Sequence, residues 1–203
     1  CWDHVVGYEE GAPEVHDRLA CGYPRFVFHP VVRSLMAVAH DHCGKPGTST
    51  LVFPSLRTAR GCANYVTKKS GVVPRIIDLT LDGLFAVDMP RSVASFGRAF
   101  WQHTGLIVSS RRAASVLARR PENRRQGAKA RRLLRERLAA LYGTAPDDVF
   151  LFPSGMAATH AAHETIQSLR PVTPRVQLEF PYLDTLKVQQ ELGENPLLLK
   201  GTT

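Results

Sequence analysis

The feature of this sequence that most constrains its fold is a succession of patterns between residues 149 and 192. Residues 149–152 (Val-Phe-Leu-Phe) form a continuous apolar run, which is typical of a strand buried on both faces of a parallel sheet. Residues 153–155 (Pro-Ser-Gly) interrupt that run, and residues 156–169 have the Ala-rich composition of a helix. A second strand is expected at 176–180 and a second helix at 185–192. This order of strand, turn, helix, strand and helix predicts a βαβ unit.

The first part of the chain predicts a smaller mixed α/β lobe. Apolar residues at helical spacing indicate a helix over 31–40, which Gly44 would end. Residues 50–54 form a short apolar run that predicts a buried strand. A second helix is expected from Ser55 to about residue 65, with Ser55 as its N-cap.

We place a domain boundary within the extended segment 75–81, after residue 80. Residues 1–80 then form the mixed α/β lobe, and residues 81–203 form a second domain that contains the βαβ unit. The fold class predicted for the chain is therefore α/β.

Positive charge is concentrated in one stretch of the chain. The sequence has 26 Lys and Arg against 18 Asp and Glu, and eleven of the cations lie within residues 111–137. Leu residues at helical spacing predict an amphipathic helix over 129–142, with its Leu side buried and Gly143 after its end. We favour a solvated helix face for the cations and keep a nucleic-acid-binding module as the alternative. The sequence Pro-Glu-Asn at 121–123 interrupts the stretch, and no aromatic residues interleave with the cations to stack on bases.

Several kinds of site and location find no support in the sequence. The four cysteines lie about twenty residues apart, which fits neither a zinc ribbon nor a redox pair. The cluster at 40–43 (His-Asp-His-Cys) and the pair His160 and His163 are explained by helix-end and helix-surface polarity, so we predict no metal site. No signal peptide or membrane-spanning run is present. We therefore expect a cytoplasmic protein with reduced cysteines.

The junction between the strand at 149–152 and the following helix predicts a site for phosphate. The first N–H groups of a helix have no partner within the helix, and the helix dipole is positive there. Gly155 would let a phosphate approach the backbone closely. Ser154 could cap the helix and also donate its hydroxyl to an oxyanion. A plain N-cap would account for the same residues.

The sequence around this junction resembles that of a known enzyme family. Residues 150–158 read FLFPSGMAA and resemble the SGMAA signature of the Cys/Met-metabolism family of enzymes dependent on pyridoxal 5′-phosphate. This family contains the trans-sulfuration enzymes, including cystathionine γ-synthase. The resemblance implies that Gly155 and Met156 hold the cofactor phosphate through their backbone amides, with Ser154 beside them.

Two further segments resemble elements of the same family. Residues 180–187 read FPYLDTLK, and the resemblance implies that Tyr182 stacks on the cofactor ring. Residues 100–113 read FWQHTGLIVSSRRA, and here Arg111 matches an Arg that reaches the phosphate of a neighbouring subunit. Ser109 stands where most members have Tyr, a departure associated with the long, fungal-type branch of cystathionine γ-synthases.

The resemblance also implies a fold, an activity and an assembly. It implies that residues 81–203 are an incomplete pyridoxal 5′-phosphate-binding domain, the N-terminal part of a fold-type-I transferase with a mostly parallel sheet and flanking helices. Full-length relatives catalyse γ-replacement, in which cysteine displaces the acyl group of an activated homoserine, and their active sites lie between two subunits of a homo-oligomer. The resemblance places the Schiff-base lysine of the family well beyond the position of Tyr182, and neither Lys187 nor Lys200 matches it. We therefore identify no catalytic residue among the 203 residues, and we expect a truncated chain that is inactive alone.

Overall fold

The computed structural model describes most of the chain. The described residues are 2–10, 12–19, 22–23, 25–80, 83–120, 124–171, 174–179, 182–193 and 196–199. They divide into two compact units. Unit 1 comprises residues 1–102 and 107–118, and unit 2 comprises residues 103–106 and 119–203.

Unit 1 is built on a three-stranded antiparallel sheet. Its strands are β1 (Thr48–Phe53), β2 (Arg75–Asp78) and β3 (Phe85–Pro90), in the order β1-β3-β2. The central strand β3 pairs with β1 from Thr48 opposite Pro90 to Phe53 opposite Phe85. Four successive residues of β3, Ala86 to Met89, are buried, so both faces of the centre of the sheet are covered.

The helices of unit 1 follow its apolar periodicity. They are α1 (Trp2–Glu10), α2 (Pro13–His16), α3 (Pro30–Cys43), α4 (Leu56–Ser70), α5 (Ala94–Thr104) and α6 (Ser110–Leu117), and the last two residues of α5 fall in unit 2. The predicted helices at 31–40 and 55–65 and the predicted strand at 50–54 are confirmed as α3, α4 and β1. Ser55 caps α4 as predicted, because its side chain accepts a hydrogen bond from the N–H of Thr58.

The core of unit 1 forms where α3 and α4 meet the sheet. Leu35 from α3, Val52 and Phe53 from β1 and Val66 from α4 have no exposed surface. Phe53 also packs against the ring of Trp101 from α5. Burying an aliphatic side chain of this size contributes about 1.5–3 kcal/mol, so these contacts hold both helices on the sheet.

The structure divides the chain differently from the boundary predicted after residue 80. β3 lies beyond that boundary in sequence, yet it pairs with both β1 and β2. A strand that supplies hydrogen bonds to two neighbours belongs to their sheet whatever its position in the chain. The first unit therefore extends into α6.

Unit 2 contains a small βαβ unit. Its elements are α7 (Arg124–Tyr142), α8 (Gly155–Leu169), β4 (Val176–Leu178), α9 (Leu183–Leu192) and β5 (Leu197–Leu199). β4 and β5 pair in parallel, with Val176 opposite Leu197, and α9 connects them. The helices predicted at 156–169 and 185–192 are confirmed as α8 and α9.

The prediction of a strand at 149–152 is wrong. These residues are irregular and have no strand partner among the described residues, and 76% of Phe150 is exposed. The side chain of Arg135 donates hydrogen bonds to the carbonyls of Val149, at 3.0 Å, and Pro146, at 2.8 Å. A β-strand requires a neighbouring strand to bond its backbone, so the apolar pattern alone could not make one here. The βαβ unit begins one strand later than predicted.

The predicted burial of the Leu side of α7 is also wrong within the described residues. The helix exists and Gly143 follows it with φ of 65°, but Leu133, Leu134 and Leu141 are exposed. Ala139 is the residue of α7 that is fully buried. Periodicity identifies an apolar side of a helix, but a packing partner is needed to cover it.

Candidate functional site

The turn that precedes α8 has the geometry of a capped helix start. Ser154 is extended, with φ of −154° and ψ of 160°, and its hydroxyl accepts a hydrogen bond from the N–H of Ala157 at 3.1 Å. The N–H of Ala158 donates to the carbonyl of Ser154 at 3.1 Å, which is the first bond of the helix. The N–H groups of Gly155 and Met156 precede that bond, so the helix leaves them available to a ligand or to water.

Space is open beside Gly155. A Cβ atom added to this glycine would have no heavy atom within 4 Å, apart from its chain neighbours and the backbone of its own helix. Gly155 is exposed and does not lie in the left-handed region, so neither packing nor strain within the protein requires glycine here. The side chain of Met156 is buried and holds the turn in place. The site offers two backbone donors at the positive end of a 15-residue helix, with open space beside Gly155.

Gly105 forms part of this site, although the sequence indicated only a polar turn at residues 102–105. Its φ is 64°, and an added Cβ would lie 2.8 Å from both the Cβ of Met156 and the Oγ of Ser154. The hydroxyl of Ser154 donates to the carbonyl of Gly105 at 3.4 Å, a long bond near the limit of such interactions. A glycine after a polar residue was the only signal in the sequence. Ser154 could donate to an oxyanion only by giving up this bond.

Tyr182 lies in the same unit, at the N-cap position of α9. Its side chain is 71% exposed, and its hydroxyl donates to Oδ2 of Asp184 at 2.9 Å. The ring is therefore presented to solvent at the start of α9. Its predicted stacking on a cofactor ring stays a prediction.

Arg111 lies in unit 1, on the first turn of α6, and is exposed. Ser109 caps that helix, because its hydroxyl accepts from the N–H of Arg112 at 3.2 Å. Ser109 thus has a local structural role at the position where the family usually has Tyr. The predicted contact between Arg111 and a phosphate stays a prediction.

The basic stretch 111–137 is divided between the two units. α6 ends at Leu117 and α7 begins at Arg124, and the predicted interruption at 121–123 lies outside the described residues. Two of its arginines have acidic partners, since Arg135 pairs with Asp147 at 2.8 Å and Arg132 with Glu136 at 3.6 Å. No finding supports the nucleic-acid alternative.

The polar cluster at the end of α3 forms a structural network. The hydroxyl of Thr50 donates to Oδ1 of Asp88 at 2.9 Å. Oγ1 of Thr50 also lies 2.8 Å from Nδ1 of His40, and because the hydroxyl proton is directed to Asp88, the histidine is the donor in that bond. Arg75 completes the network by pairing with Asp88 at 3.1 Å. Cys43 donates to the carbonyl of Ala39.

Two absences apply to the described part of the chain. No group of three or more His, Cys, Asp or Glu residues there could hold a metal ion. No helix there is long and apolar enough to cross a membrane. Of the cysteines, Cys43 and Cys62 are free thiols, and Cys1 and Cys21 lie outside the described residues.

Residues 31–109 match the model of a family described as the N-terminal domain of fungal trans-sulfuration enzymes. The match begins in α3 and ends at the N-cap of α6, so it contains the whole sheet of unit 1. It does not reach α8, and the similarity of unit 2 to known proteins depends on individual relatives.

Three curated relatives show the extent of that similarity. The cystathionine gamma-synthase-like enzyme iboG2 of Amanita muscaria is 25% identical over 100% of this chain and 48% of the relative. The L-2-amino-4-chloropent-4-enoate dechlorinase/desaturase of Streptantibioticus cattleyicolor is 33% identical over 91% of this chain and 38% of the relative. Cystathionine gamma-synthase of Saccharomyces cerevisiae is 28% identical over 57% of this chain and 21% of the relative. The chain therefore spans less than half of each relative. No solved structure gives a significant match.

Proposed function

Because the chain is related to the cystathionine γ-synthase family, we propose that unit 2 binds pyridoxal 5′-phosphate by its phosphate at the start of α8. The observation that carries this proposal is the pair of available N–H groups of Gly155 and Met156, with open space beside Gly155. A phosphate carries up to two negative charges, and its oxygens accept hydrogen bonds from such amides. The residues present therefore fit the phosphate end of this cofactor.

The remaining contacts are assigned by the family resemblance. Tyr182 would stack on the pyridine ring, and its side chain is 71% exposed at the start of α9. Arg111 would reach the phosphate from a neighbouring copy in a homo-oligomer, where its guanidinium matches phosphate oxygens in charge and geometry. Bound pyridoxal 5′-phosphate supplies an electron sink that stabilises negative charge on the carbons of an amino-acid substrate.

The relatives point to chemistry at the γ-carbon of an amino acid. The name of the Streptantibioticus relative describes the removal of chlorine from carbon 4, which is the γ-carbon of a 2-amino acid. Cystathionine γ-synthases replace a group at the same carbon. We propose that the assembled enzyme to which this chain contributes removes a leaving group from the γ-carbon, with an acylated homoserine and cysteine as the substrates.

The 203 residues are proposed to bind the cofactor without a covalent bond. Lys187 lies within α9, half-buried, and Lys200 lies outside the described residues. Neither matches the family's catalytic lysine. After mixing with pyridoxal 5′-phosphate and reduction with borohydride, mass spectrometry should find no pyridoxyl group on either lysine. A pyridoxyl group on one lysine in most molecules would overturn this part of the proposal.

The decisive experiment compares two glycine substitutions. Gly155→Ala adds a Cβ where the protein leaves space, so the folded chain should be as stable as before, while the methyl group would keep a phosphate from the Gly155 amide. A lost charge-assisted hydrogen bond of about 1.5–3 kcal/mol corresponds to a roughly 10- to 100-fold weaker affinity for pyridoxal 5′-phosphate. Gly127→Ala, within α7, is the matched control and should leave the affinity unchanged.

Fluorescence titration with pyridoxal 5′-phosphate and with pyridoxal, which lacks the phosphate, measures these affinities. The wild-type chain should bind pyridoxal 5′-phosphate and should bind pyridoxal much more weakly. Equal affinities for the two compounds, or an unchanged affinity in Gly155→Ala, would show that the start of α8 does not hold the phosphate.

A further inference from the structure

Residues 149–152 form an exposed apolar segment of unit 2 that has no strand partner in the part of the chain that the structure describes. Phe150 is 76% exposed and Phe152 is 42% exposed. The backbone of Val149 is extended, with φ of −98° and ψ of 114°. The segment has the composition of a β-strand, and what it lacks is a neighbouring strand to bond its backbone.

One edge of this segment is already occupied. The side chain of Arg135, on α7, donates to the carbonyl of Val149 at 3.0 Å. In an extended chain, the backbone groups of successive residues point to opposite edges. Those of Phe150 and Phe152 therefore point away from the edge that Arg135 occupies, and no described residue bonds them. The open edge of the segment is the one that carries both phenylalanines.

The same segment of a second copy fits this open edge. In an antiparallel pair centred on Leu151, Phe150 of each copy lies opposite Phe152 of the other, and the two Leu151 residues face each other. Phe150 and Phe152 share one face of a strand, so two cross-strand aromatic pairs form on that face. Each Phe150–Phe152 pair also exchanges both of its backbone N–H···O bonds. The segment is thus complementary to itself in backbone and side chains.

The flanking residues are compatible with this register. Asp148 of one copy would lie opposite the uncharged Ser154 of the other, so no like charges face each other at the ends of the pair. Val149 would lie opposite Pro153. The proline nitrogen, which has no hydrogen, would point away from the partner, as is required of a proline in a strand.

From this geometry we infer that unit 2 binds a second copy of this chain through an antiparallel pair of strands formed by residues 149–153. The pair stops at two strands, because Arg135 occupies the other edge of each segment. The contact is small beside the roughly 1,200–2,000 Å² that stable interfaces bury, so the association is reversible and depends on concentration. It uses no N–H group of the proposed phosphate site and does not depend on the proposed cofactor.

Sedimentation velocity of the 203-residue chain over a range of concentrations measures the association. The wild-type chain should form a reversible dimer. Phe150→Ser should weaken the dimer by about tenfold or more, because truncation of an aromatic residue at the centre of an interface has effects of this size. Phe150→Tyr keeps the ring and should retain the dimer. Leu141→Ser, on α7 at a position that is 75% exposed, is the matched control and should change nothing.

Cysteine substitutions test the register. In the proposed pair the Cα atoms of the two Leu151 residues lie about 4.5 Å apart, a distance that a disulfide spans. The two Phe152 residues are diagonal neighbours about 7–8 Å apart, which is beyond that reach. Leu151→Cys should therefore cross-link two copies under mild oxidation, and Phe152→Cys should cross-link no faster than the wild-type chain. Circular dichroism checks that each variant is folded.

Three results would overturn the proposal. A chain that stays monomeric at every concentration would show that the segments do not pair. A dimer that Leu141→Ser weakens and Phe150→Ser does not would place the contact on α7. Equal cross-linking by Leu151→Cys and Phe152→Cys would show a parallel, in-register arrangement instead of the antiparallel pair.

Discussion

The close approach of Gly105 to the start of α8 predicts a large effect of one added methyl group. In Gly105→Ala, the new Cβ would lie 2.8 Å from the Cβ of Met156 and the Oγ of Ser154 and 3.0 Å from the N of Ala157. Two of these atoms belong to the cap of α8 itself. The substitution should therefore displace the cap as well as strain residue 105.

The expected loss in the free energy of unfolding of Gly105→Ala has three parts. A non-glycine residue in the left-handed region costs about 1–2 kcal/mol. Forcing an extra methyl group into a packed position costs about 1–3 kcal/mol. Disturbing the Ser154 cap costs a further ~1 kcal/mol. Gly143→Ala is the matched control, because Gly143 has φ of 65° but no atom within 4 Å of an added Cβ, so it should show only the first part.

Hydrogen exchange followed by mass spectrometry separates the two variants. Gly105→Ala should destabilise unit 2 by about 2–4 kcal/mol more than Gly143→Ala, which corresponds to a roughly 30- to 700-fold faster exchange of the amides of α8. Urea unfolding, monitored by circular dichroism, gives the change in the free energy of unfolding. Equal losses in the two variants would show that the contact between Gly105 and the Ser154 cap does not matter.

Three further predictions concern buried ionisable groups. Asp88→Ala should reduce the free energy of unfolding of unit 1 by about 2–3 kcal/mol, because it removes two hydrogen bonds to a buried carboxylate. The control Asp41→Ala, at an exposed position, should change it by less than about 0.5 kcal/mol. Similar losses for the two variants in urea titrations would contradict the role of Asp88. Burial raises the pKa of Cys62 to about 12, so about one Cys62 thiol in ten thousand is ionised at pH 8. Iodoacetamide should therefore modify Cys62 only after the chain unfolds. Rapid modification of Cys62 in the native chain would refute this prediction. Burial and Arg175 lower the pKa of His163 in the folded chain. As the pH falls, the imidazole is therefore protonated at a higher pH in the unfolded chain than in the folded one. The free energy of unfolding should therefore be retained above the unfolded His pKa of about 6.5 and should fall as the pH decreases below it. His163→Gln should flatten this dependence between pH 7.5 and 5.5, and an unchanged slope would argue against the perturbed His163.

Local elements of the fold could be predicted because their signals lie close together in the chain. The periodicity of residues 31–40 identified α3, and Ser55 marked the start of α4 through a side chain that bonds its own helix. The same reasoning identified the start of α8 at Ser154. Caps and helical faces involve residues within a few positions of each other, so the sequence alone carries the information.

The candidate phosphate site was predictable only in part. The turn at residues 154–156 could be predicted because its backbone N–H donors all belong to one capped helix start. Gly105 was not identified, since its role depends on a contact across 49 positions of the chain. The influence of Arg175 on His163 was also not predicted, because only folding brings these two residues together.

The sequence by itself identified the helices α3, α4, α8 and α9 and the relationship to trans-sulfuration enzymes. The tertiary structure decided which apolar segments are covered. β3 became the centre of the sheet because β1 and β2 lie on either side of it, while residues 149–152, which are as apolar, have no strand beside them among the described residues. A helix satisfies its backbone within one segment, whereas a strand and a buried face each need a partner that only the folded chain supplies.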